Sequence, residues 1–108
     1  MVSLQTVDRC WRRWDALLAA IATAERSQAE PLVLATLHAL REEMLEVRKL
    51  TRAEASDRVV NQAMSRCGER AVERLRAAGE IGDELPPAVA RTLRRFGVGW
   101  RIPLRVVP

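Results

Sequence analysis

The spacing of apolar residues along this 108-residue chain predicts an all-α protein: a three-helix antiparallel bundle with a short fourth helix and an extended, strand-like C-terminal arm. Three observations carry that prediction. Long stretches place apolar side chains three and four residues apart, the links between them are short and hold capping patterns, and only the last residues alternate with period two.

The first helix is predicted over residues 4–25. Val7, Cys10, Trp11, Trp14, Leu17, Leu18 and Ile21 fall on one face of a helix turning about 100° per residue, and Arg9, Arg12 and Arg13 take the other side. Residues 27–31 then stop and restart the chain. Either Ser27 and Glu30 form a capping box, or Glu30 precedes Pro31 at the first helical position.

A second helix is predicted over residues 31–50, with Val33, Leu34, Leu37, Leu40, Met44, Leu45 and Val47 inward and Glu42, Glu43, Glu46 and Lys49 outward. Thr51 and Glu54 match a second capping box, so a third helix is expected over residues 52–78. Val60, Ala63, Met64, Cys67, Ala71, Leu75 and Ala78 keep one phase through Gly68, which argues for a single continuous helix at a cost of about 1 kcal/mol for the glycine. A helix-turn-helix with Gly68 in its turn would instead bury Glu69 and Arg74. Gly79 is the expected terminal cap.

Residues 1–79 thus read as a bundle and residues 80–108 as a loop, a short helix and an arm. Pro86 and Pro87 close the loop, and a helix over residues 88–96 buries Val89, Leu93 and Phe96 while Arg91, Arg94 and Arg95 stay in water. In the arm, Trp100, Ile102, Leu104 and Val106 alternate with Arg101, Pro103 and Arg105; Pro103 restricts this segment to an edge strand or an extended arm.

Size and composition agree with one domain. At 12.2 kDa the folded chain exposes about 6,000 Å² against about 17,700 Å² unfolded, enough burial for a core without staples. Three rods of about 33, 30 and 40 Å are nevertheless hard for one short chain to cover, so a two-fold dimer is expected, with Trp11, Trp14 and Met44 in the core or at the seam.

Charge is uneven. Residues 1–50 hold seven basic and seven acidic residues, whereas residues 51–108 hold eleven and seven, and Arg91, Arg94, Arg95, Arg101 and Arg105 lie in a stretch without an acid. That segment suits phosphate contacts, and nucleic acid is the alternative partner to protein.

Enzymatic chemistry finds little support. Cys10 and Cys67 belong to no metal-ligand pattern, and both fall on apolar faces where inert thiols are the rule. His38 with Glu42 one turn on reads as a surface pair, and no serine stands in a nucleophile motif. No catalytic, metal or cofactor site is therefore assigned. Absence of a signal-like start or a bilayer-length apolar run gives a cytoplasmic, non-membrane expectation. The residues thus predict a small non-enzymatic binding module that self-associates, with Trp100, Ile102, Leu104 and Val106 anchoring the arm on another protein.

Overall fold

The computed structural model describes residues 1–96, which form five helices: α1 (Leu4–Arg26), α2 (Pro31–Arg52), α3 (Asp57–Ser65), α4 (Cys67–Ala77) and α5 (Pro87–Phe96). The all-helical class agrees with the sequence. The arm and its expected strand lie outside the described residues.

Local chemistry sets the boundaries. Ser3 caps α1 by accepting the Thr6 N–H at 3.3 Å. At the other end the N–H groups of Gln28 and Ala29 reach back to the carbonyls of Glu25 and Ala24, a Schellman closure with Gln28 at φ +53°. Of the two starts expected for α2, proline at the first position is the one found, because Glu30 makes no side-chain cap and the Ser27 hydroxyl turns back to Ala24. Gly79, at φ +74°, ends α4 with the same closure: its N–H bonds to Arg76 and that of Glu80 to Leu75.

The third predicted helix differs in both extent and continuity. Thr51 is not a cap: its hydroxyl donates to the Arg48 carbonyl at 2.6 Å, which keeps it inside α2. Ser56 caps instead, accepting the Val59 N–H, so the new helix begins at Asp57. It is interrupted at Arg66. There the Ser65 hydroxyl donates to the Gln62 carbonyl and the Cys67 thiol to that of Ala63, and both compete with the backbone ladder next to a glycine. Apolar phase survives a one-residue interruption, so periodicity alone does not reveal it. Two short helices replace the long rod.

Three side-chain contacts join α1 to α3. The Ser3 N–H donates to Asp57 Oδ1 at 2.6 Å, Arg9 donates to Asn61 Oδ1 at 2.8 Å, and Cys10 Sγ lies 3.6 Å from Met64 Sδ. Because these pairs advance together along both helices, α1 and α3 run side by side in the same direction. Arg48, near the end of α2, lies over Trp11 and Trp14 in the first half of α1, and only residues 27–30 link the two helices, so α1 and α2 run in opposite directions.

Helix α2 is central and touches every other helix. Its Leu37, Leu40, Met44 and Val47 meet Leu17 and Ile21 of α1, Val60 of α3, Val72 and Leu75 of α4, and Val89 and Leu93 of α5 in one cluster. Apolar burial on this scale is the main stabilising term. The segment read as a plain loop also contributes, since Ile81 and Leu85 are buried and pin it to the core. Glu43, expected outward, is buried, and its carboxylate accepts from Arg74 Nε. Burial of the acid is tolerable because a cation reaches it from solvent.

Candidate functional site

Core packing assigns the three aromatic and thioether candidates to different places. Met44 is fully enclosed, only 1% exposed, and packs against Cys67 with 3.7 Å between the two sulfur atoms. It is a core residue and is not available to a seam. Trp14 is half-buried against the cluster, while Trp11 is 40% exposed.

What joins the two indoles is a residue that apolar periodicity passes over. The Arg48 guanidinium carbon stands 4.1 Å from the Trp11 ring centroid and 4.5 Å from that of Trp14. Two aromatic faces stabilise one cation there, at about 0.5–2 kcal/mol each. The packing has a cost, because Arg48 Nε is out of reach of water and has no hydrogen-bond partner among the described residues. A signal was present in the sequence: Arg48 lies seven residues from Arg41, itself seven from Leu34, so all three share one stripe of α2.

On α1 the matching stripe is Leu4, Trp11 and Leu18, again at seven-residue spacing, with exposures of 88%, 40% and 39%. These are three of the five large apolar residues that remain exposed among the described residues. Asp8 and Asp15, both exposed, border this stripe on the side away from α2. On the opposite border stand Arg41 and Arg48, half-buried on α2. The outer face of the α1–α2 hairpin is therefore an apolar band with an acidic margin and a basic one.

The other candidates separate. Arg91, Arg94 and Arg95 are exposed on one side of α5 while Val89 and Leu93 are buried on the other, as the spacing predicts; Phe96 is half-buried rather than enclosed. Arg101, Arg105, Trp100, Ile102, Leu104 and Val106 lie outside the described residues.

Chemically reactive groups are not assembled. His38 and Glu42 are exposed on α2, and no cluster of three or more His, Cys, Asp or Glu side chains is found among the described residues. Both thiols are free and buried. Burial raises Cys10 above its ordinary value despite Arg13 and Arg9, and burial with the nearby Glu43 carboxylate pushes Cys67 up to about 12. Neither supplies a thiolate near neutral pH. No described helix is long and apolar enough to cross a membrane. Set against family models, curated proteins and solved structures, the chain matches none.

Proposed function

We propose that the protein is a small non-enzymatic helical module that works by self-association, two copies meeting through the outer face of the α1–α2 hairpin. Its body acts as an up-down-up unit of α1, α2 and the kinked α3–α4 pair, and the arm bearing Trp100, Ile102, Leu104 and Val106 makes a second protein contact.

The observation that carries this reading is the seven-residue repeat of exposed Leu4, Trp11 and Leu18 between margins of opposite charge. A repeat of seven is the spacing that keeps a helical seam against a partner. Charge then selects the occupant and the symmetry. A two-fold axis parallel to the helices lays α1 of one copy over α2 of the other. Asp8 and Asp15 would then face Arg48 and Arg41 of the partner subunit, and the contacts repeat in reverse. An axis perpendicular to the helices would stack acid on acid, which costs affinity. The surface is thus complementary to itself in one arrangement.

Light scattering on a sizing column tests the proposal. The wild-type chain is expected at twice the mass of one subunit, and Leu18→Glu at the mass of one with unchanged helicity, because Leu18 contributes to the face and not to the core. A wild-type monomer at high micromolar concentration would remove the reading.

A further inference from the structure

The opposite flank of α1, away from Trp11, faces a cavity of about 900 Å³ between α1, α3 and α5. Its lining includes Arg9, Arg12 and Arg13 of α1 together with Arg95 of α5, and no aspartate or glutamate. Fold topology alone unites these cations, since more than eighty residues separate Arg13 from Arg95 in the chain. Beneath them the floor is small and apolar: Ala16 and Ala19 of α1, Met64 of α3 and the Phe96 ring of α5.

Two of the arginines are held in place by neutral groups or an aromatic ring, which leaves their charge available. Arg9 donates to Asn61 Oδ1 at 2.8 Å and to Thr6 Oγ1 at 3.2 Å. The Arg95 guanidinium lies 5.3 Å from the Phe96 centroid. Among the described residues Arg12 is the one of the four in a direct ion pair, an exposed bond to Asp8 one turn back, and Arg9 also acts through space on the exposed Asp57 carboxylate; exposed pairs of that kind are weak. Guanidinium groups ringing a flat apolar floor with an aromatic edge combine the two features that hold an unpaired strand: phosphate contacts and base stacking.

We propose that this cleft binds single-stranded nucleic acid, with phosphates on Arg9, Arg12, Arg13 and Arg95 and a base against Phe96 and the alanine floor. A duplex keeps its bases stacked inward and offers none to the apolar surface between these arginines. The inference does not depend on self-association, as the two surfaces occupy different flanks of α1 and meet only at the exposed Asp8–Arg12 pair.

Anisotropy of a fluorescein-labelled 15-nucleotide oligo(dT) with the full chain tests it. Neutralising four phosphates of a single strand predicts affinity falling about 50-fold between 50 and 200 mM salt. Ala19→Glu, which puts a carboxylate in the cleft at an exposed position, and Arg13→Ala should each weaken binding at least about tenfold, with helicity intact by circular dichroism. Phe96→Ala should weaken binding while preserving the salt slope, and Arg76→Ala, outside the cleft, should bind within about twofold of wild type. Salt-independent binding, no effect of Ala19→Glu, equal affinity for a duplex of the same length, or displacement by oligo-glutamate at equal charge would each overturn the proposal.

Discussion

At the scale of single residues, two positions, Gln28 and Arg48, hold groups in unfavourable states that the rest of the fold compensates. Gln28 occupies the left-handed region at φ +53° to complete the closure of α1, where Gly79 does the same for α4. Glycine removes the steric penalty, so Gln28→Gly should raise unfolding free energy by about 0.5–1 kcal/mol in urea titrations. Arg48 sits between two indoles with a stranded Nε. Arg48→Met keeps the stem against both rings and deletes the orphan donor, and should lie within about 1 kcal/mol of wild type, whereas Arg48→Ala should lose about 1–2 kcal/mol through lost packing. Equal losses in the two variants would assign the stabilisation to the charge instead.

Cys67 ties a residue to pH. Its thiol ordinarily titrates at 9.0 and is pushed up to about 12 in the fold. The folded state therefore holds this proton more tightly than the unfolded state. Its contribution is fully present below pH 9 and is lost as pH rises from there toward 12. Urea midpoints should fall between pH 8.5 and 10.5, and Cys67→Ala should flatten that slope. Native protein at pH 8 should leave a thiol reagent unreacted, because the other thiol, Cys10, is also buried.

At the scale of elements, the Glu43–Arg74 contact links α2 to α4 asymmetrically. Glu43 has a side chain only 7% exposed, but that of Arg74 is 46% exposed. Arg74→Met strands a buried carboxylate and should cost about 2–3 kcal/mol, whereas Glu43→Met returns an arginine to water and should cost less. Comparable losses would mean that the pair is worth its direct attraction alone. Leu93 makes the parallel case for α5: it is wholly buried, so Leu93→Ala should cost about 2–5 kcal/mol in urea unfolding.

Elements also show what a sequence conveys and what it withholds. Helices α1, α2 and α5 were legible because their signals are local: periodic apolar residues, proline at the first position, and a glycine just past the end of α4. The interruption at Arg66 was not, since it arises from Ser65 and Cys67 competing for carbonyls within a stripe whose phase never changes. A helical wheel puts Glu43 outward because it assigns charge to solvent, whereas its burial depends on a cation thirty-one positions away. The Trp11–Trp14 pair is visible as apolar; Arg48 shows only its stripe position on α2, and its place between the rings is fixed when two helices are paired, because a cation in an aromatic slot otherwise looks like any exposed arginine. The four-arginine cleft is likewise a product of tertiary assembly.

At the scale of the whole molecule, burial alters the case for company. The expectation of surplus apolar surface rested on three long rods, yet one chain of five helices encloses Met44 and most of the stripes, with Ile81, Leu85 and α5 closing over them. What remains outside is narrow and ordered: Leu4, Trp11 and Leu18 at heptad spacing, flanked by carboxylates on one margin and guanidinium groups on the other. Regular spacing and self-complementary charge, rather than quantity of exposed apolar area, are the argument for a dimer.

A charge-reversal cycle measured by sedimentation equilibrium tests that claim most directly. Asp15→Lys and Arg41→Glu should each weaken the dimer about tenfold, since each sets like charges opposite one another, and the double variant should recover most of the loss. A wild-type chain that stays monomeric to several hundred micromolar, or single variants that associate as tightly as wild type, would contradict it.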